Sequence, residues 1–147
     1  MANISIFVGS VYGNAQNVAE QVEEKLVEAG HEVTLFEEPA IDDFKSADKV
    51  LVITSTTGQG DFPPNIEFFA QDLLEQKPSM EGRQFAVVAL GDSSYGDSFA
   101  GAGRNMFELL SDLQGQPITD LFIVDAMETF EPEEEVLPWV AVHIATL

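Results

Sequence analysis

What most constrains this chain is a repeated alternation of short, unbroken apolar runs with stretches of helical periodicity. Val50-Leu51-Val52-Ile53, Phe85-Ala86-Val87-Val88-Ala89-Leu90 and Leu121-Phe122-Ile123-Val124 contain no polar residue. Strands that face solvent on one side alternate polar and apolar residues, whereas strands covered on both faces read as continuous runs like these. Strands are therefore expected at Asn3 to Gly9, Glu32 to Phe36, Lys49 to Thr54, Gln84 to Gly91 and Ile118 to Val124. Between them apolar residues recur at helical spacing. The stripes are Val18, Val22 and Leu26; Ile66, Phe69, Ala70, Leu73 and Leu74; Met106, Phe107, Leu110 and Leu113; and Val136, Val140, His143 and Leu147. Gly30 supplies a helix stop and Pro63-Pro64 a helix entry. The acidic run Glu131-Pro132-Glu133-Glu134-Glu135 suits a helix start, where carboxylates face the positive end of the dipole. Alternating strands and helices predict a doubly wound, three-layer α/β sandwich with a parallel sheet. At 147 residues without an internal repeat, one domain over residues 1–147 is expected.

Charge excludes several functions. Six Lys and Arg stand against 26 Asp and Glu, a formal net charge of −20. Nucleic acid and anionic membrane surfaces would be repelled, and six cations cannot assemble a basic patch. The charge also favours a monomer. The absence of cysteine removes disulfides, thiolate metal sites and dithiol chemistry. No apolar run approaches the roughly 18 residues of a membrane span. The first strand-like run starts almost at Met1 and leaves no space for an export signal, so a cytoplasmic protein is expected.

In doubly wound sheets ligands sit beyond the carboxyl ends of the strands. Three segments leave such ends here: Gly9-Ser10-Val11-Tyr12-Gly13-Asn14-Ala15, Ser55-Thr56-Thr57-Gly58-Gln59-Gly60-Asp61-Phe62-Pro63 and Gly91-Asp92-Ser93-Ser94-Tyr95-Gly96-Asp97-Ser98-Phe99. The first joins a buried strand directly to a helix, so backbone N–H groups and the helix dipole converge on one spot suited to a phosphate. The same spacing equally suits an ordinary tight turn that needs Gly13. Both tyrosines, Tyr12 and Tyr95, fall in these loops, where an aromatic ring can stack on a flat heterocycle. Phe99 suits a core cap as well as a ligand contact, and Trp139 suits the core.

Other loop chemistries do not fit. A nucleoside-triphosphate loop needs Gly-Lys-Ser/Thr, and Asn14 follows Gly13. The dinucleotide fingerprint needs three spaced glycines at the first turn. A phosphoacceptor receiver needs acids after the first strand, an Asp after the third and a Lys after the fifth, where Ser10, Ser55 and Asp125 stand. Gly91-Asp92-Ser93 lacks a partner histidine for hydrolysis, because His31 flanks a strand and His143 lies on an apolar helical stripe.

Taken together and in order, the three loops resemble those of the flavodoxins over essentially the whole chain. Ser10 to Ala15 is similar to that family's phosphate loop. The Thr56-Thr57-Gly58-Gln59-Gly60-Asp61-Phe62-Pro63 segment, a Thr-x-Gly-x-Gly-x-x-Pro pattern, and Leu90-Gly91-Asp92-Ser93-Ser94-Tyr95 resemble loops of the FMN domains of diflavin reductases. A direct fifth strand points to the short-chain type, and a small chain with diflavin-like loops is most similar to the MioC-type flavodoxin-like proteins.

The resemblance implies a flavodoxin-like five-stranded sheet of order 2-1-3-4-5 and an FMN cofactor. It implies that Ser10, Val11, Tyr12, Gly13, Asn14 and Ala15 bind the phosphate, aided by Ser55 and Thr56. Tyr95 would stack on the outer flavin face, with Leu90, Gly91, Asp92, Ser93 and Ser94 at the pyrimidine edge and Phe99 nearby. Gly58 would turn its carbonyl toward the flavin, and Thr57 or Phe62 would cover the inner face. Tyr12 and Ala15 depart from the family's threonines and remove two hydroxyls. The implied role is an electron carrier without catalytic residues or metal. It would take electrons from a basic-surfaced NADPH-dependent flavoprotein reductase and pass them to an acceptor enzyme. A flavodoxin-like NAD(P)H:quinone reductase or a flavin-free interaction module are the alternatives; the first would call for clustered cations, and the second is favoured by Tyr12 and Ala15.

Overall fold

The computed structural model describes residues 3–10, 13–55, 62–91, 101–125 and 131–145. Among the described residues, six strands and five helices follow one another. They are β1 (Asn3–Gly9), α1 (Asn14–Glu28), β2 (Glu32–Phe36), α2 (Ile41–Lys45), β3 (Lys49–Ser55), α3 (Pro64–Gln76), β4 (Gln84–Gly91), α4 (Gly101–Asp112), β5 (Gln116–Pro117), β6 (Phe122–Asp125) and α5 (Glu133–His143). All strand pairings are parallel, in the order β2-β1-β3-β4-β5, with β6 also on β4. This is the expected doubly wound sandwich.

The period-2 alternation of strand side chains sorts the core into two layers. Ile4, Ile6 and Val8 of β1 pack with Leu51, Ile53, Val88 and Leu90 beneath Val18, Val22 and Leu26 of α1 and Val136 and Val140 of α5. Phe7, Val50, Val52, Phe85 and Val87 face the other way, against Ile66, Phe69 and Leu73 of α3 and Met106, Leu109 and Leu110 of α4. Aromatic rings dominate that second layer. Phe7 stacks between Phe36 and Phe69 at 5.1 and 5.3 Å, and Phe44 tilts against it at 6.2 Å.

Two features depart from expectation. The fifth strand does not run directly from Ile118 to Val124. It pairs with β4 at Gln116 and Pro117, leaves the ladder, and resumes at Phe122. Between the pairs Phe85–Pro117 and Val88–Phe122, four edge residues (118–121) stand against two of β4 (86–87), a two-residue excess. Such a break on an edge strand interrupts the open row of hydrogen-bonding groups that would otherwise template association. The second departure is α2, a short helix that delivers Phe44 to the core. Its start is held by Asp43, whose Oδ2 accepts the Ala40 N–H at 3.0 Å.

The described residues of the helical stripes are buried, except for Phe107 and His143, which are half-buried, and Leu74, which is 56% exposed. Leu74 lines a cleft of about 500 Å³ between the C-terminal ends of α3 and α4, together with Lys77, Leu109 and Leu113. Leu147 lies outside the described residues. Trp139 stacks on Phe122 at 5.1 Å and touches His143 at 5.7 Å, so both belong to the packing of α5 on the sheet edge. No helix among the described residues is long and apolar enough to cross a membrane, and no described cluster of His, Asp and Glu could hold a metal ion.

Candidate functional site

The register of the sheet brings the carboxyl ends of its central strands to one line. Gly9 pairs with Thr54, Ser55 with Leu90, and Gly91 with Asp125. The three loops singled out in the sequence therefore leave the sheet side by side.

The first of them is the best described. Ser10 follows β1 directly, and its N–H donates to Asn65 Oδ1 at 2.9 Å. The Gly13 N–H donates to Ser10 Oγ at 2.9 Å, drawing the two ends of the loop together. Gly13 has φ +87°, a left-handed conformation that costs glycine nothing and most other residues about 1 kcal/mol or more. The first helical bond of α1 runs from the Asn17 N–H to the Gly13 carbonyl at 2.9 Å. The N–H groups of Asn14, Ala15 and Gln16 precede it and have no helical acceptor.

No side chain caps α1 at Gly13, and its first turn holds no acidic residue. The first turns of α2, α3 and α5 do carry acids (Asp42 and Asp43, Glu67, and three glutamates), whereas that of α4, like that of α1, has none. Neutral donors at the positive end of a helix, with no carboxylate in the turn, fit a phosphate. A carboxylate there would repel one.

Side chains at this site serve the scaffold. Ala15 is fully buried in the layer beneath α1, so it offers only its N–H to a ligand. A threonine at that position would place a hydroxyl in the core. Ser55 Oγ donates to the Gly9 carbonyl at 3.3 Å and ties the end of β3 to that of β1, while Thr54 Oγ1 donates to the Ser55 carbonyl at 2.9 Å within β3. Leu90 is a core residue that can reach a ligand only through its backbone, and Gly91 closes β4. Phe62 packs against the aromatic layer. Val11, Tyr12, Thr56, Thr57, Gly58, Asp92, Ser93, Ser94, Tyr95 and Phe99 lie outside the described residues, as does the side chain of Asn14.

Sequence reasoning passed over Asn65. Besides accepting from Ser10, its Nδ2 donates to the Val8 carbonyl at 2.7 Å and the Glu37 carbonyl at 2.8 Å. The available signal was its place immediately after Pro63-Pro64, at a helix start facing the end of β1. Glu37 in turn accepts from Gln16 Nε2, in the first turn of α1, at 2.7 Å.

Comparison with known proteins agrees with this geometry. Residues 6–139 match the flavodoxin family model. Flavodoxin YqcA of Escherichia coli K12 is 43% identical over 142 residues, covering 95% of each chain. Protein MioC of the same organism is 32% identical over 139 residues, covering 95% of this chain and 94% of that one. A solved structure of a cysteine-to-serine mutant of a flavodoxin from Pseudomonas aeruginosa superimposes with a TM-score of 0.89 at 37% identity, over 95% of this chain and 94% of that one. With the strand order, the loop ends and these matches in agreement, the chain belongs to the flavodoxin family.

Proposed function

We propose that this chain is an FMN-dependent carrier of single electrons between a basic-surfaced, NADPH-dependent flavoprotein reductase and an acceptor enzyme. The observation that carries the cofactor reading is the uncapped, acid-free start of α1 beside the aligned ends of β1, β3 and β4. FMN, when bound, supplies reversible one-electron chemistry, and the protein binds, orients and tunes it. The N–H groups of Asn14, Ala15 and Gln16 hold the phosphate, with Ser10, Val11, Tyr12, Gly13, Ser55 and Thr56 around it. Leu90, Gly91, Asp92, Ser93 and Ser94 would line the pyrimidine edge, Tyr95 would stack on the ring with Phe99 adjacent, Thr57 or Phe62 would cover the inner face, and Gly58 would turn its carbonyl toward the flavin. A net charge of −20 disfavours adding negative charge to the bound ring, which pushes the second electron to more negative potential than the first.

Charge distribution supports the choice of partner. Lys25, Lys45, Lys49, Lys77 and Arg83 all sit toward the end of the sheet where its strands begin, opposite the site. Arg104, in α4, is the one cation in the half where the strands end. The resulting field turns the site end toward a positively charged docking face.

Titration of the flavin-free protein tests the cofactor reading. FMN is expected to bind far more tightly than riboflavin, and inorganic phosphate to compete with FMN. Equal affinity for the two flavins would overturn the phosphate assignment. Potentiometric reduction of the loaded protein is expected to show two separated one-electron steps; a single two-electron step would argue against a one-electron carrier.

A further inference from the structure

We infer that Asn65 is a positioning residue for the phosphate loop, setting the gap that the loop must span. The inference rests on the phosphate reading above. Its basis is a closed circuit of hydrogen bonds around the loop rather than a contact with any ligand. On one side Asn65 Oδ1 accepts from the Ser10 N–H at 2.9 Å, and Nδ2 donates to the Val8 carbonyl at 2.7 Å, fixing the last turn of chain out of β1. On the other side Nδ2 also donates to the Glu37 carbonyl at 2.8 Å. The Glu37 carboxylate then accepts from Gln16 Nε2 at 2.7 Å, which holds the first turn of α1. The end of β1 and the start of α1 are the two ends of the loop, and Asn65 is joined to both.

A primary amide suits this task because it can offer one acceptor and two donors in a single rigid plane. Three of its hydrogen-bonding positions are used here, each on backbone. An aspartate of the same shape would keep the acceptor but set a carboxylate against the carbonyls of Val8 and Glu37. The circuit also assigns the Ser10 N–H. It is committed to Asn65, so the phosphate donors begin beyond Ser10. Preorganised N–H groups lose affinity steeply when their spacing drifts, since a phosphate must meet several of them at once.

The test compares FMN and riboflavin affinities of the parent chain with those of Asn65→Leu and Asn65→Asp, using fluorescence quenching of each flavin. Losing the circuit is expected to lower FMN affinity at least about tenfold. Riboflavin affinity, which owes nothing to phosphate, is expected to stay within about twofold. A general structural defect would lower both alike, and that result overturns the inference, as does an unchanged preference for FMN. Gln16→Ala opens the circuit at the protein surface without touching the core. If the Asn65 variants do not fold, a loss of FMN affinity of a few-fold with riboflavin unchanged supports the inference, and an unchanged FMN preference overturns it. A parent chain that itself binds both flavins equally overturns the phosphate reading and this inference together. A parent that prefers FMN, with variants that keep the preference, overturns this inference alone.

Discussion

At the scale of single residues, two positions hold the fold with little tolerance. Gly103, at the start of α4, lies so close to β4 that a Cβ would collide with the Ala89 side chain and sit 3.0 Å from the Ala89 Cα. Backbone cannot yield as a flexible side chain does, so Gly103→Ala is expected to cost about 1–3 kcal/mol, read as a lower urea midpoint. Arg83 is the second. Its guanidinium donates to the carbonyls of Phe44, Ala47 and Ser79 at 2.9, 2.7 and 3.0 Å and lies 5.1 Å over the Phe44 ring. Burial pulls its pKa below the usual arginine value, partly offset by Asp48, and the group remains charged at neutral pH. Arg83→Lys keeps the charge but not the planar fork, and is expected to lose about 1–3 kcal/mol in the same denaturation experiment. Tyr95 belongs to this scale too. If it stacks on the flavin, Tyr95→Ala should weaken FMN binding several-fold, since such stacking contributes about 0.5–1.5 kcal/mol beyond area burial. Undiminished affinity would remove it from the site.

Among the elements, α5 shows how an acidic chain uses its charge. Glu133, Glu134 and Glu135 occupy its first turn, where the dipole welcomes them. Glu131, just before, hydrogen-bonds with Glu134, and that bond and the repulsion between them hold the Glu131 carboxyl above the usual carboxylate range. A raised carboxyl pKa means that ionisation is harder in the folded chain than in the unfolded one. The pair therefore favours folding at acid pH, and this contribution is lost as pH rises through the raised value. Glu131→Gln removes the repulsion and is expected to raise the melting temperature slightly at pH 7, with the gain vanishing below the carboxylate range. The end of α5 is held at a distance in sequence: the buried His31 meets the Ala145 carbonyl through Nε2 at 2.8 Å.

For the whole molecule the dominant force after the core is self-repulsion. A net charge of −20 on 147 residues strains the compact state, and salt screens it. The melting temperature is expected to rise with added sodium chloride up to a few tenths molar; an insensitive melting temperature would mean that the charges are already spaced to tolerance. Docking should respond oppositely. Electron transfer from a basic reductase is expected to slow as the Debye length shortens to about 8 Å at physiological ionic strength. A rate indifferent to salt would indicate an apolar docking face.

Much of this could be read from the chain, for a physical reason. Periodicity is a local property, and the runs at Val50, Phe85 and Asn3 became strands with nearly the expected limits because burial on both faces leaves short, β-branched apolar runs bounded by turn residues. The loops were legible because Gly13 and its neighbours sit where a parallel sheet always opens. What periodicity could not show is pairing. The break between Pro117 and Phe122 depends on how an edge strand meets β4, and an apolar run looks the same with or without a bulge. The exposure of Leu74 depends on how far apart α3 and α4 end. Asn65 is the sharpest case: its three partners lie 28 to 57 positions away, so nothing near it in sequence distinguishes it from any asparagine at a helix start. The alternation of apolar runs and helical stripes was sufficient to specify layers and loop ends, since burial acts on each segment separately. Only the folded chain decided which atoms brace the loop, because hydrogen bonds between distant segments exist only once the sheet has brought those segments together.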